Sequence, residues 1–283
     1  MKHVTLPDGC IVPALGLGTW NIGEHAKSRA AEVAAVRSAL DMGYRLIDTA
    51  EMYGDGGAEE VIGAALAQWV AAGGRRDDVF IVSKVYPHNG SERGVQAACE
   101  RSLKRLGVDR IDLYLLHWRG SVALAQTMAG FARLLADGRI ARWGVSNFDV
   151  DDMEDLFRQP GGTACAANQI YYSGSRRGAE FDLLPWLAKR GVPAMAYTPI
   201  DQGALAKDRT LAAIGKKHGA TAAQAALAFV LARPGMIAIP KAVRDAHLRD
   251  NLAAADLALD AVDLAQIDAR FPPPARKQPL ATN

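Results

Sequence analysis

Apolar residues in this chain follow two alternating patterns. Short runs at 14–18, 79–84, 111–117, 140–146 and 192–197 are apolar without alternating in polarity, which suits strands buried on both faces. Longer stretches between them carry apolar residues every three or four positions. In 29–42, Val33, Val36 and Leu40 share one face and Gly43 follows as a stop. Ser91 stands where a cap belongs for a helix reaching Leu106, with Gly107 beyond its end. Further strands are predicted at 45–48, 165–169 and 236–239. Further helices are predicted at 58–72, 122–136, 149–157, 181–189, 210–218, 222–232, 246–254 and 261–269. Ahead of the first strand, Leu6-Pro7-Asp8-Gly9 reads as the tight turn of a hairpin.

Eight strands alternating with helices predict an α/β protein, and no linker or composition shift divides residues 1–283. A single (β/α)8 TIM-barrel domain with an N-terminal β-hairpin is expected; a doubly wound open sheet is the alternative. The eight-fold count and the absence of GxGxxG after the first strand favour the barrel.

Composition narrows the partners. A net charge of +2, evenly spread, gives no basis for a nucleic-acid or membrane surface. Cys10, Cys99 and Cys165 form no CxxC spacing, which argues against a disulfide framework or a zinc site, and no metal is expected. No run reaches the ~18 apolar residues of a membrane span. The first residues hold no apolar signal core. A cytoplasmic monomer acting on a small molecule is the expectation.

In a barrel the chemistry gathers at the C-terminal ends of the strands. Asp48, Lys84, His117, Ser146, Asn147, Gln169, Tyr197 and Lys241 stand at or near those ends. Each alone has an ordinary reading: a solvated lysine, a structural histidine, amides that bond loop backbone. Together they ring one mouth. Tyr53 follows Asp48 by five residues, before a glycine-rich break, so an acid and a phenol are aimed from one loop.

These segments resemble the aldo-keto reductase family. The matching pieces are Leu15-Gly16-Leu17-Gly18-Thr19-Trp20, Asp48-Thr49-Ala50 with Tyr53-Gly54, Ser83-Lys84, Leu115-Leu116-His117-Trp118, Gly144-Val145-Ser146-Asn147-Phe148, Asn168-Gln169, Ala196-Tyr197-Thr198-Pro199, and Ile239-Pro240-Lys241 with Asn251. The resemblance implies NADPH-dependent reduction of small aldehydes, α-dicarbonyls or ketones, with NADH as a lesser cofactor. Tyr53 would be the general acid, Lys84 would lower its pKa, Asp48 would hold Lys84, and His117 would orient the carbonyl. Trp20, Tyr53, His117, Trp118 and Arg119 would line the substrate pocket. For the cofactor, Tyr197 would stack on the nicotinamide, and Ser146, Asn147 and Gln169 would bond its carboxamide. Thr19 and Trp20 would lie beside the ribose and pyrophosphate, and Asp48 would also face the cofactor. The loop with Pro199, Ile200, Gly203 and Leu205 would cover the pyrophosphate. Lys241, Arg244 and His247 would lie near the 2′-phosphate, and Asn251 would meet the adenine.

The chain departs from the usual pattern at Ala242 (usually Ser or Thr), His247 (usually Arg), Asp250 (usually Glu) and Arg119 (usually Pro). The first two weaken the phosphate site. The look is that of a bacterial subgroup related to methylglyoxal and diketogluconate reductases. A dedicated keto-sugar-acid reductase and a non-catalytic nucleotide-binding module are the alternatives. The tail after Arg270 is short, so no long C-terminal loop is expected to close the pocket.

Overall fold

Strands and helices alternate around a closed barrel in the computed structural model, which describes residues 2–282. The hairpin comes first, as β1 (His3–Thr5) and β2 (Ile11–Pro13). The barrel strands are β3 (Leu17–Gly18), β4 (Leu46–Asp48), β5 (Phe80–Val85), β6 (Leu113–Leu116), β7 (Trp143–Ser146), β8 (Asn168–Tyr171), β9 (Ala194–Tyr197) and β10 (Met236–Ala238). Each pairs in parallel with its neighbours in sequence. The barrel closes where Leu15 and Gly18 bridge to Ala238 and Lys241, with Gly16 N–H donating to Ala238 O at 2.9 Å. Closure leaves no sheet edge to cover.

The strands are buried almost throughout because helices cover their outer faces and side chains fill the interior. The helices are α1 (Arg29–Asp41), α2 (Gly57–Ala71), α3 (Glu92–Leu106), α4 (Leu124–Ala136), α5 (Val150–Phe157), α6 (Leu183–Lys189), α7 (Arg209–Lys217), α8 (Ala222–Leu231), α9 (Asp245–Ala254) and α10 (Ala261–Arg270). The end signals of α3 operate as expected. Ser91 accepts from Gly94 N–H, and Gly107 takes φ 65°, a left-handed value that favours glycine. Nearly all of α8 is buried, so it is apolar on every side.

Several strands start or end elsewhere than predicted. The first strand is two residues long because Leu15 makes only a single bridge to the last strand. The fourth and fifth begin at Leu113 and Trp143, since Ile111 and Ile140 pair only with each other. The sixth runs on to Tyr171, drawn by its ladder with β9 from Asn168↔Ala194 to Tyr171↔Tyr197. Gln169 therefore sits inside a strand rather than at its end.

Register brings the site together. Asp48 lies opposite Val82, so Lys84, two residues on, faces the same way one step higher. Ser146 lies opposite Gln169. The hairpin is at the other end: Asp8 Oδ2 receives Arg142 Nε at 2.6 Å, just before β7 begins, and Val4, Leu6 and Val12 are buried beneath it. Among the described residues, no helix is long and apolar enough to cross a membrane.

Candidate active site

Lys84 is the centre of the site. Its side chain is 0% exposed, and Nζ reaches three oxygens: Asp48 Oδ2 at 2.8 Å, Thr49 O at 2.7 Å and Tyr53 OH at 3.3 Å. An ammonium has three protons, so all three are used. Burial pulls its pKa down, but Asp48 and Tyr53 outweigh that, and Lys84 is held above the ordinary lysine value. The other Asp48 oxygen accepts from Gln169 Nε2 at 2.7 Å. Burial lifts the Asp48 carboxyl against the pull of Lys84 and Gln169.

Tyr53 is aimed by a loop packed backbone against backbone. A Cβ on Gly57 would come within 2.2 Å of Gly23 O, and one on Gly54 within 2.8 Å of the same atom. Gly54 also takes φ 57°. Only glycines let these loops meet. The expectation that Lys84 gives Tyr53 a lowered pKa needs correction. Burial raises the phenol, Lys84 lowers it, Asp48 raises it, and the net shift is upward. Tyr53 thus keeps its proton, while Lys84 limits the cost of losing it.

His117 follows β6 and is buried, its ring edge-on to Tyr53 with centroids 5.7 Å apart. Burial first, and Lys84 second, hold its pKa well below the ordinary histidine value. The imidazole is neutral and keeps one N–H donor. Its Nδ1 is buried without a partner among the described residues.

Above this floor opens a cavity of about 1140 Å³, larger than the ~300–1,000 Å³ typical of small-molecule sites. Thr19, Trp20, Asp48, Tyr53, His117, Trp118 and Arg119 line it. So do Ser146, Asn147, Gln169, Tyr197, Pro199, Ile200, Gly203, Lys241, His247 and Asn251. Three expected residues are elsewhere. Lys84 lies beneath the surface, Leu205 is buried in the core, and Arg244 is exposed beside the cavity rather than lining it.

Asn147 takes φ 58°, and its amide is engaged within the protein: Nδ2 donates to His117 O at 3.1 Å and Oδ1 accepts from Tyr197 OH at 2.8 Å. The Tyr197 ring is backed by Tyr171, with centroids 5.4 Å apart. Lys241 is exposed, and no carboxylate of the described residues lies within ion-pair distance of it. Arg244 Nη2 lies 2.7 Å from His247 Nε2.

Arg119 is not a free cation. It pairs at 3.4 Å with Asp152 and with Asp155, both on α5. The tail comes up to the site: Thr282 lines the cavity. Lys277 ties the tail down, bonding Asp149 Oδ1 at 2.7 Å and Asp182 Oδ2 at 2.6 Å. The lining also includes Asn21, Met52 and Thr221, which the sequence pattern does not single out. Met52, beside Tyr53, has a readable signal. Asn21 comes from a loop and Thr221 caps α8, and no periodicity shows that either reaches the cavity.

A parallel eight-stranded barrel with a buried Asp–Lys pair under a tyrosine and a neutral histidine defines a class of protein. The sequence pattern of the aldo/keto reductase family matches residues 14–270, and the chain belongs to that family. It is 47% identical to the methylglyoxal reductase YeaE of Escherichia coli (strain K12), over 99% of this chain and 98% of that one. It is 32% identical to the glyoxal reductase of Bacillus subtilis (strain 168), over 94% and 91% of the two chains. A crystal structure of an aldo-keto reductase from Klebsiella pneumoniae in complex with NADPH superposes with a TM-score of 0.94 at 46% identity, covering 100% of this chain and 99% of that one.

Proposed function

We propose that this chain reduces small aldehydes and α-dicarbonyls such as methylglyoxal to alcohols with NADPH, Tyr53 acting as the general acid. The observation that carries the reading is the buried Lys84 ammonium set between Asp48 and the Tyr53 hydroxyl. A phenol normally releases its proton near pH ~10. As negative charge grows on the carbonyl oxygen, Tyr53 gives up its proton and becomes a phenolate facing Lys84. Asp48 keeps Lys84 charged and aimed throughout. Neutral His117 donates a hydrogen bond to the same oxygen, which orients the substrate and stabilises the developing charge.

NADPH supplies the hydride. The residues present fit it. The cavity is roomy, and its lining carries the amides of Asn147 and Gln169, the Tyr197 ring, and Lys241, which no carboxylate of the described residues pairs. Tyr197 would meet the nicotinamide, Ser146 and Gln169 its carboxamide, and Lys241 the 2′-phosphate. Asn251 would meet the adenine. Relatives named for methylglyoxal and glyoxal reduction, and a neighbour in complex with NADPH, support the substrate class and the cofactor. Residues 1–283 would act as one catalytic domain.

The test is multiple-turnover oxidation of NADPH by methylglyoxal, with Tyr53→Phe alongside. The phenylalanine keeps the ring and loses the proton. Reduction should fall by ~10²-fold or more while NADPH still binds. Near wild-type turnover in Tyr53→Phe would remove the assignment.

A further inference from the structure

Glu51 stands between Asp48 and Tyr53 in sequence, and its residue is only 8% exposed. Its carboxylate points away from the loop that carries it. Oε1 accepts from Tyr86 N–H at 2.8 Å and from Asn89 Nδ2 at 2.9 Å. Oε2 lies 3.2 Å from Arg101 Nη2 on α3. A buried carboxylate is costly unless donors satisfy it, and three groups converge here.

What these contacts join is specific. Tyr86 follows Lys84 by two residues, so its N–H belongs to the segment that carries the buried ammonium. The Tyr86 ring sits edge-on to Trp118, with centroids 5.1 Å apart, and 6.5 Å from the His117 ring. One carboxylate therefore links the Tyr53 loop, the segment after Lys84 and the aromatic wall behind His117. The Tyr53 to Lys84 contact, at 3.3 Å, is the longest of the three that Lys84 makes. It depends most on how the two segments are held.

We propose that Glu51 is a positioning residue for the reduction, fixing the Tyr53 hydroxyl over Lys84 by clamping the Tyr53 loop to the segment that follows β5. It touches neither substrate nor cofactor. The inference rests on the reductase reading above. Displacement of a proton donor by about 1 Å costs on the order of 10²-fold in rate. Loss of the clamp should therefore appear in kcat, and in the pH profile of the phenol whose distance to Lys84 has changed.

The experiment compares Glu51→Ala and Glu51→Gln with the wild type, using NADPH and methylglyoxal. Glu51→Ala should lower kcat by roughly ten- to hundredfold, leave the Kd for NADPH within about twofold, and displace the pH–kcat profile. Glu51→Gln keeps an oxygen for Tyr86 N–H and Asn89, so it should recover most of the loss. The proposal is overturned if Glu51→Ala keeps wild-type kcat, if its loss merely follows the unfolded fraction with an unmoved pH profile, or if Glu51→Gln is no better. Should Glu51→Ala fail to fold, Asn89→Ala decides. A lower kcat with a displaced profile upholds the clamp, and an unmoved profile overturns it. A wild type that reduces no carbonyl defeats the reductase reading instead. Hydrogen exchange at the Tyr86 amide then tests the clamp by itself: faster exchange in Glu51→Ala than in the wild type or Glu51→Gln supports it, and unchanged exchange in Glu51→Ala overturns it.

Discussion

Lys84 Nζ lies 2.8 Å from Asp48 Oδ2 with the two side chains 0% and 2% exposed. Buried ion pairs of this kind add little to stability on their own, because desolvation offsets the attraction. The pair is explained by its third neighbour. Tyr53 OH meets the same ammonium, so the charge is kept in the interior where a phenolate would need it. Gln169 completes the shell of Asp48 and keeps the carboxylate from turning away.

Lys84→Met is accordingly expected to do two separable things. It leaves Asp48 buried without its cation, which costs on the order of 3–5 kcal/mol, a large share of a typical ~5–15 kcal/mol. It also removes the group that lowers the cost of a Tyr53 phenolate. Alcohol oxidation, which needs that phenolate, should therefore shift its pH optimum upward. The double variant Lys84→Met with Asp48→Asn should regain most of the lost Tm while activity stays low. Recovery of activity along with Tm would show that Lys84 serves only the fold.

His117 carries a pH dependence of stability. Its folded pKa lies well below the ordinary value, chiefly through burial, whereas in the unfolded chain it is about 6.5. Between those two values the unfolded chain binds more protons. Stability from this residue is thus complete above about pH 6.5 and declines as pH falls. Urea unfolding near pH 7 and about pH 5 should show a smaller drop for His117→Asn than for the wild type. Equal drops would mean that His117 is protonated in the folded protein.

The barrel was legible because its signals repeat: each buried strand is a short apolar run, and each helix has a face, a cap or a glycine stop. The segment with Asp48 and Tyr53 was legible because spacing along one loop survives folding. Glu51 was not. Its partners Tyr86, Asn89 and Arg101 lie 35 to 50 residues away, and only the packing of the β5–α3 segment against the Tyr53 loop reveals them. Net effects were hidden too. The sign of the Lys84 effect on Tyr53 could be reasoned from charge, but its contest with burial needed coordinates. Thr282 at the cavity shows the same limit, since a tail's length does not give its path.

Arg119 illustrates how pairing changes an expectation. It is 34% exposed and lines the cavity, and Asp152 and Asp155 offset its charge. Partly exposed pairs of this kind are worth ~0–1 kcal/mol, so its pull on an anionic substrate is small. Arg119→Ala leaves Asp152 without its cation near the pocket, while Asp155 keeps Arg158. KM should then rise by about two- to fivefold for a keto acid and stay unchanged for a neutral aromatic aldehyde. Equal changes for both substrates would mean that Arg119 acts only through packing.

On the proposed reading, cofactor choice turns on the cations around Lys241. NADPH differs from NADH by one phosphate, so discrimination requires a cation free to meet it. Lys241 meets that condition: it lines the cavity, is exposed, and has no carboxylate of the described residues within ion-pair distance. Arg244 is placed less well, outside the lining and with Nη2 against His247 Nε2 at 2.7 Å. Ala242 is buried and offers no hydroxyl. A charge-assisted contact contributes about 1.5–3 kcal/mol, which is roughly ten- to hundredfold in affinity. Lys241→Ala should weaken NADPH by that factor and NADH by less than about twofold. Arg244→Ala should weaken NADPH by a smaller factor. NADPH should remain the preferred cofactor of the wild type, with NADH measurably used. Fluorescence titration of both cofactors against the three proteins measures this. Equal losses for NADPH and NADH in Lys241→Ala would place the phosphate elsewhere.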